Sequence, residues 1–363
     1  MGFPHYMLKE IYEQPTALKN TLEAYLCGNK INFPLAPMTE SFAQGIDKIH
    51  IIGCGSAYHA GVYGKYIIEE LTNISTTAEI ASEFRYGRVP LSEKSLVVII
   101  SQSGETADSL AALKKAKASG AKALSIINAH GSTMAEISDM IIYTKAGTEV
   151  SVATTKAYLC QNAVLYLLGV FLAEKLGKLS PADFKALTDD IMNLSEKVES
   201  ELPVREQIIP IAKKLKTSEH IYFIGRNTDY ALALEGSLKL KEISYIHCEA
   251  YPAGELKHGT ISLIEKGTPV VAVCLRKDIL RKTLSGIKEV KARGADIIAV
   301  TREEFKGCFD YSDTLITVSS SVSDMLSPLV GAVPLQLLSY HTAVDKGCEV
   351  DKPRNLAKSV TVE

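Results

Sequence analysis

The chain repeats itself, and that repeat limits its folds more than any other feature. "HIIGCGSAYHAG" from residue 50 is answered by "IYFIGRNTDYALA" from residue 221, each an apolar string stopped by Gly before a helical pattern resumes. Second strings follow in "SLVVII" and "TPVVAVC", third in "ALSIIN" and "DIIAV", and fourth in "SDMIIYT" and "SDTLITV". Ile51 to Ile221, Val97 to Val270, Ile126 to Ile298 and Ser138 to Ser312 are 170, 173, 172 and 174 residues apart. Near-equal offsets of this kind mean two copies of one domain.

Between the second and third strings lie "ETADSLAALKKAKASGA" and "DILRKTLSGIKEVKARGA". Both are amphipathic at helical spacing, basic toward the C-terminal turn and closed by Gly. Strands alternating with such helices predict an α/β fold of two tandem doubly wound parallel-sheet domains. The expected organisation is an N-terminal helical segment over 1–39, interrupted at Pro15, and a first domain over 40–179. A connecting helix over 180–211 leads to a second domain over 212–353 and a tail over 354–363. In the connector Ser180 is placed to cap, Pro181 takes the first helical position, and Phe184, Leu187, Ile191, Leu194, Val198 and Leu202 form one apolar stripe.

Charge narrows the function classes. Lys plus Arg number 40 against 42 for Asp plus Glu, so no cationic excess exists to neutralise nucleic acid or to hold an anionic membrane. The longest apolar run, Ala163 to Ala173, is far short of the roughly 20 residues of a membrane span and predicts a buried core helix. The start of the chain is polar rather than signal-like, which predicts a cytoplasmic protein. The cysteines at 27, 54, 160, 248, 274, 308 and 348 form no Cys-x-x-Cys pair, so neither a zinc site nor a disulfide framework is expected.

"IISQSGETADSL", residues 99–110, runs from a buried-strand pattern into Ser101, Gln102, Ser103, Gly104, Glu105 and Thr106. A turn needs one Gly or Asn, not a cluster of hydroxyls. At a parallel strand's carboxyl end, facing a helix N-terminus, these side chains can donate to a compact dianion such as a phosphate monoester. Gly104 would let the backbone approach the anion, and Glu105 is read as a first-turn helix residue favouring the dipole. Helix capping is the competing reading for each residue taken alone. "GTEVSVATTK", with Ser151, Thr154 and Thr155, and "IGCGSAY", with Gly53, Gly55 and Ser56, add two more small or hydroxyl-rich strand exits in the same copy.

The second copy has "VVAVCLRKD" in place of "VVIISQSGE". It carries instead "ALEGSLKLKEISYIHCEAYPAGELKHG", in which Glu235, Lys239 and Glu242 share one helical face. A solvated salt-bridged face is the bland reading. The apolar Leu234, Leu238, Leu240 and Ile243 spread around the helix argue instead that the charges face a partly enclosed space, where a carboxylate beside Lys239 stays ionised and can act as a base. His258 sits in a Gly-bracketed loop, and Lys358 in a tail with the composition of a mobile end.

"SQSGETAD", "EFRY", the "GTE" to "TKA" stretch, the segment from "ALEG" to "AGELKHG", and the terminal "PRNLAKSVTVE" closely resemble the isomerase half of the glucosamine-6-phosphate synthase family, the isomerising glutamine–fructose-6-phosphate aminotransferases. The similarity runs from "HYMLKEIYEQP" at residue 5 to Glu363. It implies two flavodoxin-like sugar isomerase (SIS) domains that convert fructose 6-phosphate from ketose to aldose with no metal or organic cofactor, as part of glucosamine 6-phosphate formation. It also implies that Ser101, Gln102, Ser103 and Thr106 hold the phosphate, and that Gly55, Ser56, Val152, Ala153, Thr154 and Ala357 line the sugar. Glu242 would be the base between C1 and C2, with Lys239 and Glu235 beside it and Lys239 near the C2 oxygen. His258 would assist ring opening from the neighbouring subunit of a homodimer, and Lys358 would act on ring opening and amine formation.

Three positions depart from the family's pattern: Ser56-Ala57 replaces a Thr-Ser pair, Thr154 a Ser and Thr260 a Pro. The chain starts at Met1-Gly2 without the family's glutamine-hydrolysing domain, so the expectation is that it does not release ammonia from glutamine. A stand-alone SIS deglycase or amino-sugar isomerase, or a non-catalytic sugar-phosphate sensor, are the competing functions. Glu242, His258 and Lys358 together speak against the sensor, since binding needs only the first copy's loops.

Overall fold

The computed structural model describes residues 2–28, 30–319 and 321–361; position 1 and the last two positions of the expected tail lie outside them. The chain divides into two compact units. The first contains residues 16–149, 156–193 and 357–361, and the second contains 2–15, 150–155 and 194–356.

In chain order the helices and strands begin with α1 (Tyr6–Tyr12), α2 (Gln14–Glu23) and α3 (Glu40–Gly45). The first sheet follows as β1 (Lys48–Gly53), α4 (Ser56–Thr72), β2 (Ser75–Ile80), α5 (Ala81–Tyr86), β3 (Ser95–Ser101), α6 (Ala107–Ala118), β4 (Lys122–Ile127), α7 (Thr133–Ile137) and β5 (Met140–Tyr143). Next come α8 (Lys156–Lys175), α9 (Pro181–Met192), α10 (Leu194–Glu201) and α11 (Arg205–Leu215). The second sheet is built from β6 (His220–Gly225), α12 (Thr228–Ser244), β7 (His247–Pro252), β8 (Pro269–Cys274), α13 (Leu280–Lys291), β9 (Asp296–Arg302) and β10 (Thr314–Val318), closed by α14 (Ser327–Asp345).

Each sheet has five parallel strands, ordered β2-β1-β3-β4-β5 and β10-β9-β8-β6-β7. Read from the other edge, the second order is that of the first, the doubly wound arrangement the repeat predicts. Every residue of β3 is buried, as a parallel strand covered on both faces must be. The repeat extends to side-chain packing. Gly64 of α4 leaves room for Leu165 of α8, where a Cβ would come within 2.9 Å of its Cδ1, and Gly236 of α12 does the same for Leu335 of α14 at 2.8 Å. The long apolar α8, the one described helix long and apolar enough to span a membrane, is the buried core helix that the run Ala163–Ala173 predicts.

Two elements escape the reading of four strands per copy: the edge strands β2 and β7. "STTAEI" and "HCEAYP" pair on one side only and are half exposed, so they carry no continuous apolar string, and β7 tolerates Pro252 at its end. The connector is also not one helix. Ser180 caps α9 by accepting from the Asp183 N–H, and the helix closes at Asn193 before α10 begins.

Candidate active site

In the first unit β3 delivers Ser101 to the loop that precedes α6. The Ser101 hydroxyl accepts from the Gly104 N–H at 3.0 Å and lies 3.3 Å from the Thr106 hydroxyl. The Ser103 hydroxyl accepts from the Glu105 N–H at 3.2 Å, and the Gln102 carbonyl accepts from the Asn128 and Ala129 N–H groups beyond β4. Thr106 occupies the N-cap position of α6, yet its side chain makes no capping bond. Capping therefore does not account for this threonine. The hydroxyls of Ser101 and Ser103 fold the loop by accepting, and each also pairs with a second hydroxyl, Thr106 or Ser359, so that one O–H of each pair is left to donate, at the positive end of a twelve-residue helix.

One reading of this loop gains a second cause and another changes. Gly104 has φ +69°, and a Cβ there would lie 2.2 Å from the Ser132 hydroxyl oxygen, so the fold of the loop against Ser132 itself demands glycine. Glu105 precedes the N-cap and is not in the first turn of α6; its carboxylate accepts from the Thr133 N–H at 2.6 Å, at the start of α7. Before α4, Gly55 takes the N-cap position with φ 54° and ψ −127°, and Ser56 is the buried first residue of the helix.

The composition of the tail predicts a mobile end; the structure instead docks it on the hydroxyl loop. The Ser359 hydroxyl lies 2.9 Å from that of Ser103, the Val360 carbonyl accepts from the Ala107 N–H at 3.2 Å, and Lys358 Nζ meets Glu149 Oε2 at 2.5 Å. Glu149 is buried, and its other oxygen accepts from the Ala157 N–H at 3.1 Å. Ala357 is exposed beside Lys358. These contacts place Lys358 in the same unit as Ser101, Gln102, Ser103 and Thr106.

In the second unit α12 carries the three charges on one face. Lys239 Nζ lies 2.5 Å from Glu242 Oε2 and 3.6 Å from Glu235 Oε1. Lys239 and Glu235 are each 1% exposed, whereas Glu242 is 21% exposed. A buried ammonium requires counter-charge, and Lys239 has it from both carboxylates, Glu242 the nearer and Glu235 the more buried, so that Glu242 is the one with an open side. His258 lies in a short 3-10 turn, Glu255–His258, after β7; it is exposed and bonds to none of these three.

Segment 150–155 belongs to this second unit although it follows the first sheet in sequence. Glu10 Oε1 accepts from the Val150 and Ser151 N–H groups, and the Asp351 carbonyl accepts from the Val152 N–H at 3.0 Å. Ala153 is buried and Thr154 half-buried. Asp351 also accepts the Tyr6 and Met7 N–H groups at the start of α1, both at 2.8 Å. Glu10, Glu149 and Asp351, which sequence reasoning passed over, are thus what position the candidate residues 152–154 and 358. Each is a single acid far in sequence from its partner, and only Glu149 carried a signal, as the one acid within a hydroxyl-rich strand exit. Cys54, Cys160, Cys248 and Cys274 contribute no activated thiolate: burial pushes Cys54 up, Cys160 and Cys248 up to about 12, and Cys274 well up.

The SIS domain pattern matches residues 44–171 and again 214–346. The isomerising glutamine–fructose-6-phosphate aminotransferase of Clostridium acetobutylicum is 48% identical over the whole chain, and that of Thermus thermophilus 44%. The chain spans about 60% of the length of these curated relatives. Among solved structures, the C-terminal domain of glucosamine-fructose-6-phosphate aminotransferase from Francisella tularensis superimposes with a TM-score of 0.92 at 40% identity, covering 97% of this chain and 99% of that one. Glucosamine-6-phosphate deaminase from Thermotoga maritima matches with a TM-score of 0.75 at 26% identity, covering 98% and 99%.

Proposed function

The chain belongs to the SIS domain family, and from that premise we propose that it isomerises fructose 6-phosphate from ketose to aldose, as the synthase half of glucosamine 6-phosphate formation. The observation that carries this reading is the unequal exposure of the two carboxylates around Lys239. Proton abstraction next to a carbonyl needs an accessible base and a fixed cation at the developing oxyanion. Glu242 and Lys239 are such a pair. Glu242 removes a proton from C1 of the open-chain ketose and the electron pair moves to the C2 oxygen near the Lys239 ammonium; the Glu242 carboxyl, whose open side lets its proton exchange with solvent, then protonates C2 while the O1 hydroxyl proton passes to the C2 oxygen, leaving the C1 carbonyl of the aldose. Glu235 holds Lys239 charged.

Ser101, Gln102, Ser103 and Thr106 receive the 6-phosphate; Gly55, Ser56, Val152, Ala153, Thr154 and Ala357 contact the sugar. Lys358 acts on ring opening and amine formation once its ammonium exchanges Glu149 for substrate. His258, exposed and unattached to the Lys239 cluster, suits a role contributed to the neighbouring subunit of a homodimer. Seven free thiols fit residence in the reducing cytosol.

Incubation with fructose 6-phosphate in deuterated water tests the proposal. Deuterium should replace a C1 proton and label the C2 position of newly formed glucose 6-phosphate, as read by NMR; absence of both overturns it. The likeness to the Thermotoga maritima glucosamine-6-phosphate deaminase favours one second reading, action on an amino-sugar phosphate. Ammonia release from glucosamine 6-phosphate without exchange in fructose 6-phosphate would select that alternative.

A further inference from the structure

The repeat gives the first unit's anion loop a counterpart in the second. α4 and α12 start with the same unusual backbone, φ 54° and ψ −127° at Gly55 against φ 53° and ψ −130° at Asn227. Both close on left-handed residues, Asn73 and Tyr245. Ahead of each helix a glycine meets its backbone: a Cβ on Gly53 would lie 2.7 Å from the carbonyl carbon of Ala57, and one on Gly225 2.5 Å from that of Asp229. Ala57 and Asp229 are therefore equivalent positions. The register pairs His50 with Val97 and Tyr222 with Val270, which makes Leu275 and Arg276 the equivalents of Gln102 and Ser103.

Asp229 is fully buried, and its Oδ2 accepts from the N–H groups of Leu275 at 2.9 Å and Arg276 at 3.2 Å. Its Oδ1 is buried with no hydrogen-bond partner among the described residues. Burying a carboxyl group with one oxygen unmatched is costly, so its place at the point where the strand order reverses, between β6 and β8, calls for a reason. We propose that Asp229 is an internal ligand: its carboxyl group fills the second unit's own anion site, the counterpart of the loop that Ala57 leaves open to a phosphate in the first. The part concerning Ala57 rests on the phosphate reading given above.

The ligand class that this second site takes is thus a small oxyanion, and the protein supplies it from its own chain. The Arg276 guanidinium makes a two-pronged contact with Asp278, while the contacts that reach Asp229 Oδ2 are the backbone N–H groups of Leu275 and Arg276. Asp229 also lies on the helix that carries Glu235, Lys239 and Glu242, and ties its first turn to the end of β8.

The test uses the whole chain at pH 8. Asp229→Ala should unfold at a lower temperature than the wild type, and formate should restore the midpoint in a saturable way that chloride at equal ionic strength does not. Asp229→Asn, which keeps an oxygen for the two N–H groups, should gain nothing from formate. The reciprocal change, Ala57→Asp, should fold normally and bind fructose 6-phosphate at least ~100-fold more weakly than the wild type. No formate-specific recovery in Asp229→Ala overturns the inference, as does wild-type affinity in Ala57→Asp. Should Asp229→Ala fail to fold, Ala57→Asp decides alone. A wild type that does not bind fructose 6-phosphate overturns only the phosphate reading, and the formate experiment still judges Asp229.

Discussion

In the first unit β3 ends at Ser101 and runs into hydroxyls folded around Gly104, whereas β8 of the second ends at Cys274 and runs into Leu275, Arg276, Lys277 and Asp278. The two loops begin at equivalent points of equivalent sheets. One has hydroxyls with protons left to give; the other is saturated by Asp229 and by the Arg276–Asp278 pair. The helices following β1 and β6 differ in the opposite sense. α12 buries an ammonium between two carboxylates, and the corresponding face of α4 has Tyr63, Ile67 and Glu70 where α12 has Glu235, Lys239 and Glu242. Duplication therefore put the hydroxyl-rich loop and the charged helix on different copies of one scaffold, and on the proposed function these are the binding and the proton-transfer parts.

The division is broken most directly at the base. Glu242→Gln should lower C1–C2 proton exchange in fructose 6-phosphate by about 10²–10⁴-fold, while calorimetric affinity for the sugar phosphate stays within a few-fold of wild type; an equal loss of affinity would make Glu242 a structural residue. Removing the cation tests the same helix through stability. Lys239→Met leaves Glu235 buried without its counter-charge and should cost about 3–5 kcal/mol in denaturant unfolding; a cost near zero would mean that the ammonium is not buried.

An effect of similar size, spread over a pH range, separates the units. Burial raises Asp229 from 3.8 to about 7, against the two N–H groups that lower it. The native state then holds this proton after the unfolded chain has released it, so stability falls as pH rises from about 4 to about 7 and levels off above, a swing of ~4 kcal/mol from this group. Asp229→Asn should lose that slope, and an unchanged slope would assign the pH dependence elsewhere. The smallest effect belongs to the binding loop. Ser103→Ala and Thr106→Ala should each weaken sugar-phosphate binding by about ten-fold, the worth of one hydrogen bond to a charged group, without changing exchange at saturating substrate.

Much of this was legible from residue patterns. Four strings per copy and their spacing fixed the fold class, because a parallel strand buried on both faces must be apolar throughout. The hydroxyl excess at 101–106 marked the loop because turn formation alone does not need it. β2 and β7 left no such trace, since edge strands are free to carry Thr, Glu and Pro. The tail read as mobile because nothing local in "KPRNLAKSV" shows that Ser103 and Glu149 lie against it.

By itself the sequence determined the duplication, the two parallel sheets and which residue types stand at each strand exit, since these follow from spacing and from the burial demands of single elements. Only the tertiary structure decided that Glu235 is sealed while Glu242 stays reachable, that residues 150–155 and 357–361 each pack away from their sequence neighbours, and that Asp229 closes the second anion site. Each of those outcomes depends on pairing across tens to hundreds of residues, where hydrogen-bond partners and burial are set by the assembled sheet and leave no periodic signal in the chain.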